Sequence, residues 1–282
     1  MKAMSGAKAI FRREIQAGRN AWLAWTIPVC LLILLVMWVY PSVVASGAAW
    51  DQYLNQLPEQ FRLAFGLDRL NITDPIGFFA TEGYLFIQLL GGMYAAILGA
   101  TLVSKEEAEK TAEFLLTKPV RRSSVVTGKL AAGLFYITLY TLVAAAVTCF
   151  SFLAFVDQAY SPAVLGRLFG GAYLVALALG ALGLITSVLP APAGGRLGPV
   201  RVRGAVPAAV GAVMGFYFLG IASGVSPRLD WLRYLSPFKY ADAADIIASG
   251  GPGIFDVVVL AGVAVLAVLA TYVVYGRKDI QA

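Results

Sequence analysis

Apolar residues along this chain gather into six long blocks, at 21–43, 84–103, 130–155, 168–189, 205–224 and 254–275, separated by polar and charged stretches. A helix needs about 20 apolar residues to cross a hydrocarbon core of about 30 Å, and each block meets that requirement. The pattern predicts an all-α polytopic membrane protein, with six transmembrane helices forming a single domain over 1–282. Short interfacial helices are expected before the first span (1–20), in the loop between the second and third spans (104–124) and in the outer loops.

Composition agrees. Apolar residues make up 59% of the chain and charged ones 13%, where a soluble domain carries about 25% charged residues. Mean hydropathy is +0.76. The net charge of +6 would suit nucleic acid, but the placement of the basic residues points to a membrane. Lys2, Lys8, Arg12, Arg13 and Arg19, the loop residues Lys105, Lys110, Lys118, Arg121, Arg122 and Lys129, then Arg196, Arg201 and Arg203, and finally Arg277 and Lys278 all fall on one side. The other side holds Arg62, Arg69, Arg167, Arg228, Arg233 and Lys239. The positive-inside rule then puts both termini in the cytoplasm, a layout that fits a bacterial plasma membrane. The first block exceeds the 7–15 residues of a signal-peptide core, and Trp22, Trp25, Trp38 and Tyr40 mark its ends like interfacial anchors. It reads as a retained span.

The chemistry the chain lacks narrows its function. It has no histidine, which removes His-based triads and the His-Glu-x-x-His zinc helix. Gly128-Lys129 is followed by Leu130, and position 123 is Ser where a phosphate loop needs glycine, so no Walker A motif is present. No catalytic or metal-ligating set is expected. Cys30 and Cys149 lie inside apolar blocks and read as small packing residues. Ionisable groups are scarce within the spans: Glu82, Asp157, Arg167 and Asp256 sit near predicted ends. Gln88, with Gly91 and Gly92 beside it, is the candidate for a bendable, polar-lined pathway. Helix packing through small residues is the competing role for the two glycines.

The second-to-third loop is the most informative segment. Ser104 followed by Glu107 has the spacing of a capping box and predicts a new helix starting there. Ala108, Ala112, Leu115 and Leu116 make one apolar stripe, while Glu106, Glu109, Lys110 and Glu113 cover the other faces. Pro119 ends the pattern, because its ring cannot continue a helix. Such a rod suits either a docking point for a soluble partner or a segment resting on lipid headgroups.

Glu106, Glu107, Glu109, Thr111, Glu113, Phe114, Leu115-Leu116, Pro119, Arg121 or Arg122 and Gly128-Lys129 resemble, in order, the loop of permease subunits of ATP-binding-cassette (ABC) transporters of the second, exporter-like class. Lys110 stands where that family usually has glycine, which implies a straighter helix. Phe11, Arg12, Arg13 and Glu14 resemble the family's interfacial helix ahead of the first span. Tyr234-Leu235-Ser236-Pro237-Phe238-Lys239-Tyr240 resembles its stretch before the last span. The resemblance implies a permease dimer, of two copies or two relatives, with two cytoplasmic ABC ATPase subunits docked on the loop. ATP and Mg would sit on the ATPase and no cofactor on this chain. The cargo class would be a drug, peptide, lipid or ion, moved outward, with membrane lipids as the remaining partners. The alternatives are an ion-coupled secondary transporter and a non-catalytic membrane anchor of a complex.

Two outer segments are also patterned. Trp50, Tyr53, Leu54, Leu57, Phe61, Ala64 and Phe65 fall near helical spacing, as do Trp231, Tyr234, Leu235 and Phe238. They suit either an outer gate or an interfacial aromatic belt.

Overall fold

The computed structural model describes residues 2–47, 56, 58, 69–108, 122–188, 196–197, 200–201, 205–225 and 227–277. Among them are six helices long and apolar enough to cross a membrane: Gly6–Ala45, Pro75–Leu102, Ser123–Phe155, Pro162–Ser187, Ala205–Gly224 and Ile254–Gly276. The chain is a multi-pass, all-α membrane protein.

Helix α1 (Lys2–Ala45) runs through 44 residues without a break. At 1.5 Å per residue this is about 66 Å, roughly twice the hydrocarbon core. The interfacial helix expected over 1–20 and the span expected at 21–43 are therefore one helix. Around the expected break only Gly18 and Asn20 have weak helical preference, which is too little to break a helix already nucleated on both sides. Pro28 and Pro41 are accommodated inside it, as lipid-embedded helices allow.

The second span starts at Pro75 rather than at 84. Asp74 accepts a hydrogen bond from Gly77 N at 2.9 Å, and Pro75 occupies the first turn of α2 (Pro75–Phe78). This N-cap and N1 pairing starts a helix ahead of the apolar block. A π-helical turn follows over Phe79–Tyr84 and passes into α3 (Leu85–Ala108). Ser104 lies inside α3, so it does not cap a new helix. Lys105, Glu106 and Glu107 are good helix formers, and extending an existing helix costs less than nucleating another.

Four further helices complete the bundle. They are α4 (Arg122–Phe155), α5 (Pro162–Val188), α6 (Ala205–Val225) and α8 (Ile254–Arg277). Both α4 and α5 begin before the apolar blocks expected at 130 and 168. Two-residue strands, Arg196–Leu197 and Val200–Arg201, pair antiparallel between α5 and α6. Between α6 and α8 the chain forms 3₁₀ turns over Pro227–Leu235 and Pro237–Ala241, then α7 (Ala243–Ser249). Gly250, at φ 75°, ends α7 in the left-handed conformation that favours glycine. The aromatic pattern over 50–65 and the loop rod beyond Ala108 lie outside the described residues, as do 189–195.

Packing is uneven. The largest interfaces join α3 to α5, α1 to α4 and α5 to α8. Where α3 meets α5, a Cβ on Gly99 would lie 2.0 Å from the Gly180 carbonyl oxygen, and one on Gly183 would lie 2.2 Å from that of Ala96. Only glycine permits so close a backbone approach, which is how helices gain dispersion contact in lipid. By contrast only 11% of the apolar window of α6 is buried, and among the described residues nothing lies within 4 Å of where a side chain on Gly211, Gly215 or Gly220 would start.

Candidate functional site

The helices bring polar chemistry together at the two ends of the bundle. The near end holds Glu14 of α1, Lys129 of α4 and the stems of the second-to-third loop. The far end holds Arg69, the start of α2 and the 3₁₀ turns.

At the near end, Lys129 on α4 is buried, with its side chain 4% exposed. Its ammonium lies 3.7 Å from Glu14 Oε1 on α1 and donates a hydrogen bond to the Leu102 carbonyl on α3. One cation thus touches three helices where two of them leave the apolar layer. Around it α1 packs closely on α4. Gly128 meets the α1 backbone, where an added Cβ would sit 2.7 Å from Ala7 O. Gly18 faces the Tyr136 ring, the Tyr136 hydroxyl donates to the Ile15 carbonyl, and Phe11 meets Phe135 edge-on at 6.2 Å. Arg12 and Arg13 stay exposed on the opposite flank.

Of the loop residues singled out from the sequence, Glu106 and Glu107 lie on the last turn of α3. Glu109, Thr111, Glu113, Phe114, Leu115, Leu116, Pro119 and Arg121 lie outside the described residues. Helix α3 continues six residues past the apolar window that ends at Leu102, about 9 Å. The loop therefore starts from a rigid stem.

At the far end, Gln88 donates its amide to Tyr84 Oη at 3.0 Å and to the Ala241 carbonyl at 2.9 Å. Tyr84 donates to the same carbonyl at 3.2 Å. Buried Gln88 therefore ties α3 to the second 3₁₀ turn. Gly91 and Gly92 serve packing: a Cβ on either would meet Tyr140 or Leu179 at 2.6 Å. A cleft between α3, α5 and α6, lined by Ala96, Leu179, Gly183, Ala209, Val213 and Phe216, measures about 30 Å³. Small-molecule pockets run from about 300 Å³ upward, so this cleft is too small to hold a drug-sized molecule.

Sequence reading missed the ion-pair chain above Gln88. Arg69 pairs with Asp242 at 3.3 Å and with Asp245, and Lys239 also pairs with Asp245. Asp242 in turn caps α7, accepting from Asp245 N at 3.0 Å. Burial works to raise the Asp245 pKa, but hydrogen bonds from Lys239 and Arg69 outweigh it and hold the carboxyl below its ordinary range. The i, i+3, i+6 spacing of Lys239, Asp242 and Asp245 was the available signal; Arg69, far away in sequence, was not. Tyr40 adds a second tie, its hydroxyl 2.9 Å from Thr73 O and 2.8 Å from Gln158 Oε1.

This topology of six helices long enough to cross a membrane agrees with the family comparison. The model for the ABC-2 family transporter protein matches residues 8–280. The chain belongs to that family and is a permease of an ABC transporter, a class of membrane subunit that associates with an ABC ATPase. Among curated proteins none matches it.

Proposed function

We propose that this chain is the exporting permease of an ATP-driven transporter. A dimer of permeases would be powered by two cytoplasmic ABC ATPases docked on the 104–124 loops, with ATP and Mg held by the ATPases. The observation that carries the reading is the loop stem. Helix α3 leaves the apolar layer as an unbroken helix, its last turn carries Glu106 and Glu107, and buried Lys129 on the returning helix binds its base. A lever fixed at its base can transmit a push, whereas a slack loop cannot. The excess of basic residues on that side supports a cytoplasmic stem by the positive-inside rule. The exposed face of α6 supports a path formed between two permeases rather than within one. An ion-coupled mechanism through Gln88 finds no support, since its amide is already engaged in joining helices.

Two substitutions test the docking role, Glu113→Arg and Leu115→Asp. Each is expected to leave membrane insertion intact while abolishing ATP-driven transport in proteoliposomes containing the co-purified ATPase. Wild-type transport in both variants would refute the docking role.

A further inference from the structure

We infer that Lys129 is a positioning residue that joins the ATPase-docking loop to the N-terminal third of α1, so that the two move as one body. The inference rests on the docking role proposed above and adds a second moving part to it.

Three observations converge. Lys129 stands at the point where the loop returns to the membrane, and its ammonium binds the Leu102 carbonyl, where the loop leaves it. The same ammonium faces Glu14, whose side chain is only 15% exposed. Other charges on α1 nearby, those of Arg12, Arg13 and Arg19, are exposed, and Arg19 lies close enough to act on Tyr136. A long basic side chain is almost never buried unless paired, and the pair here links α1 to α4. Close contact continues the joint along α1 through Gly128 against Ala7 and Tyr136 against Gly18 and Ile15. Because α1 is unbroken from Lys2 to Ala45, a displacement of its first turns is carried into the first span. A push on the loop would therefore reach the first span directly, in parallel with the second and third.

Spin-label distances provide the test. Cys30 and Cys149 are first replaced by serine. Labels are then placed at Gln16 on α1 or at Ser123 on the loop stem, each paired with a far-end reference at Ser161; all three positions are exposed. The protein is reconstituted with its co-purified ATPase, and distances are compared with and without ATP under hydrolysis-blocking conditions. In the wild type both distances should shift together. In Glu14→Gln the Ser123 shift should persist while the Gln16 shift falls well below it, the remaining α1–α4 contacts carrying what is left. Glu14→Gln removes the carboxylate that faces Lys129. The double variant Glu14→Gln/Lys129→Met removes both charges, a change that is often neutral for stability, and it should show the same split. A purely structural pair would not separate the two shifts. A Gln16 shift that survives undiminished in both variants, or one absent from the wild type while Ser123 moves, overturns the inference. If neither label moves in the wild type although ATPase is bound, the docking role itself fails and this inference with it.

Discussion

Both ends of the bundle are tied by ion pairs, but their surroundings differ. At the near end a single lysine, 4% exposed, faces Glu14 in a gap between helices. At the far end Arg69, Lys239, Asp242 and Asp245 form a chain whose side chains are 23–43% exposed. Water and salt screen the far-end charges, so holding them together contributes little. Removing one partner of a buried pair strands the other in low dielectric, which costs far more. Among the described residues the far end thus has the more numerous ion pairs, and the near end the more consequential one.

The largest expected effect is at the near end. Lys129→Ala should lower stability by about 3–5 kcal/mol, read as the unfolding midpoint of the purified full chain in detergent. The middle case is Gln88→Leu, which removes two buried hydrogen bonds but leaves Tyr84 to satisfy the Ala241 carbonyl. It should cost about 1 kcal/mol by the same measurement. The smallest is Arg69→Ala, expected at no more than about 1 kcal/mol and shrinking further as salt is added. Its pH dependence has a definite sign. The Asp245 carboxyl titrates lower in the folded state than when unfolded. Its contribution is therefore present above the unfolded value, about pH 4, and fades as pH falls through the folded one. The gap between wild type and Arg69→Ala should close over that same interval. A larger loss for Arg69→Ala than for Lys129→Ala would reverse the comparison.

Much of this architecture was legible in the chain itself. Six apolar blocks are a strong signal because every backbone group in lipid must be satisfied within a helix, and all six became spans. Helix limits were less legible, since they depend on caps and on helix formers outside the apolar blocks. Asp74-Pro75 started a span early, and Lys105-Glu106-Glu107 carried another past Ser104, where spacing alone had suggested a cap. The charged joints were the least legible. Lys129 looked like one more basic residue of a cytoplasmic loop, and Glu14 like part of a separate surface helix; only the crossing of α1 on α4 brings them together. Gln88 stood out as polar among apolar neighbours, but its partner is a backbone carbonyl 153 positions away, which leaves no trace in side-chain pattern.

The glycine contact between α3 and α5 has a kinematic consequence. With carbonyl oxygens occupying the space where side chains would start at Gly99 and Gly183, neither helix has slack to slide or roll against the other, so they form a stiff plank through the bilayer. Any rearrangement that opens a route must then be made by pieces outside that plank, and α6, with no neighbour among the described residues along its glycine edge, is the strut freest to swing.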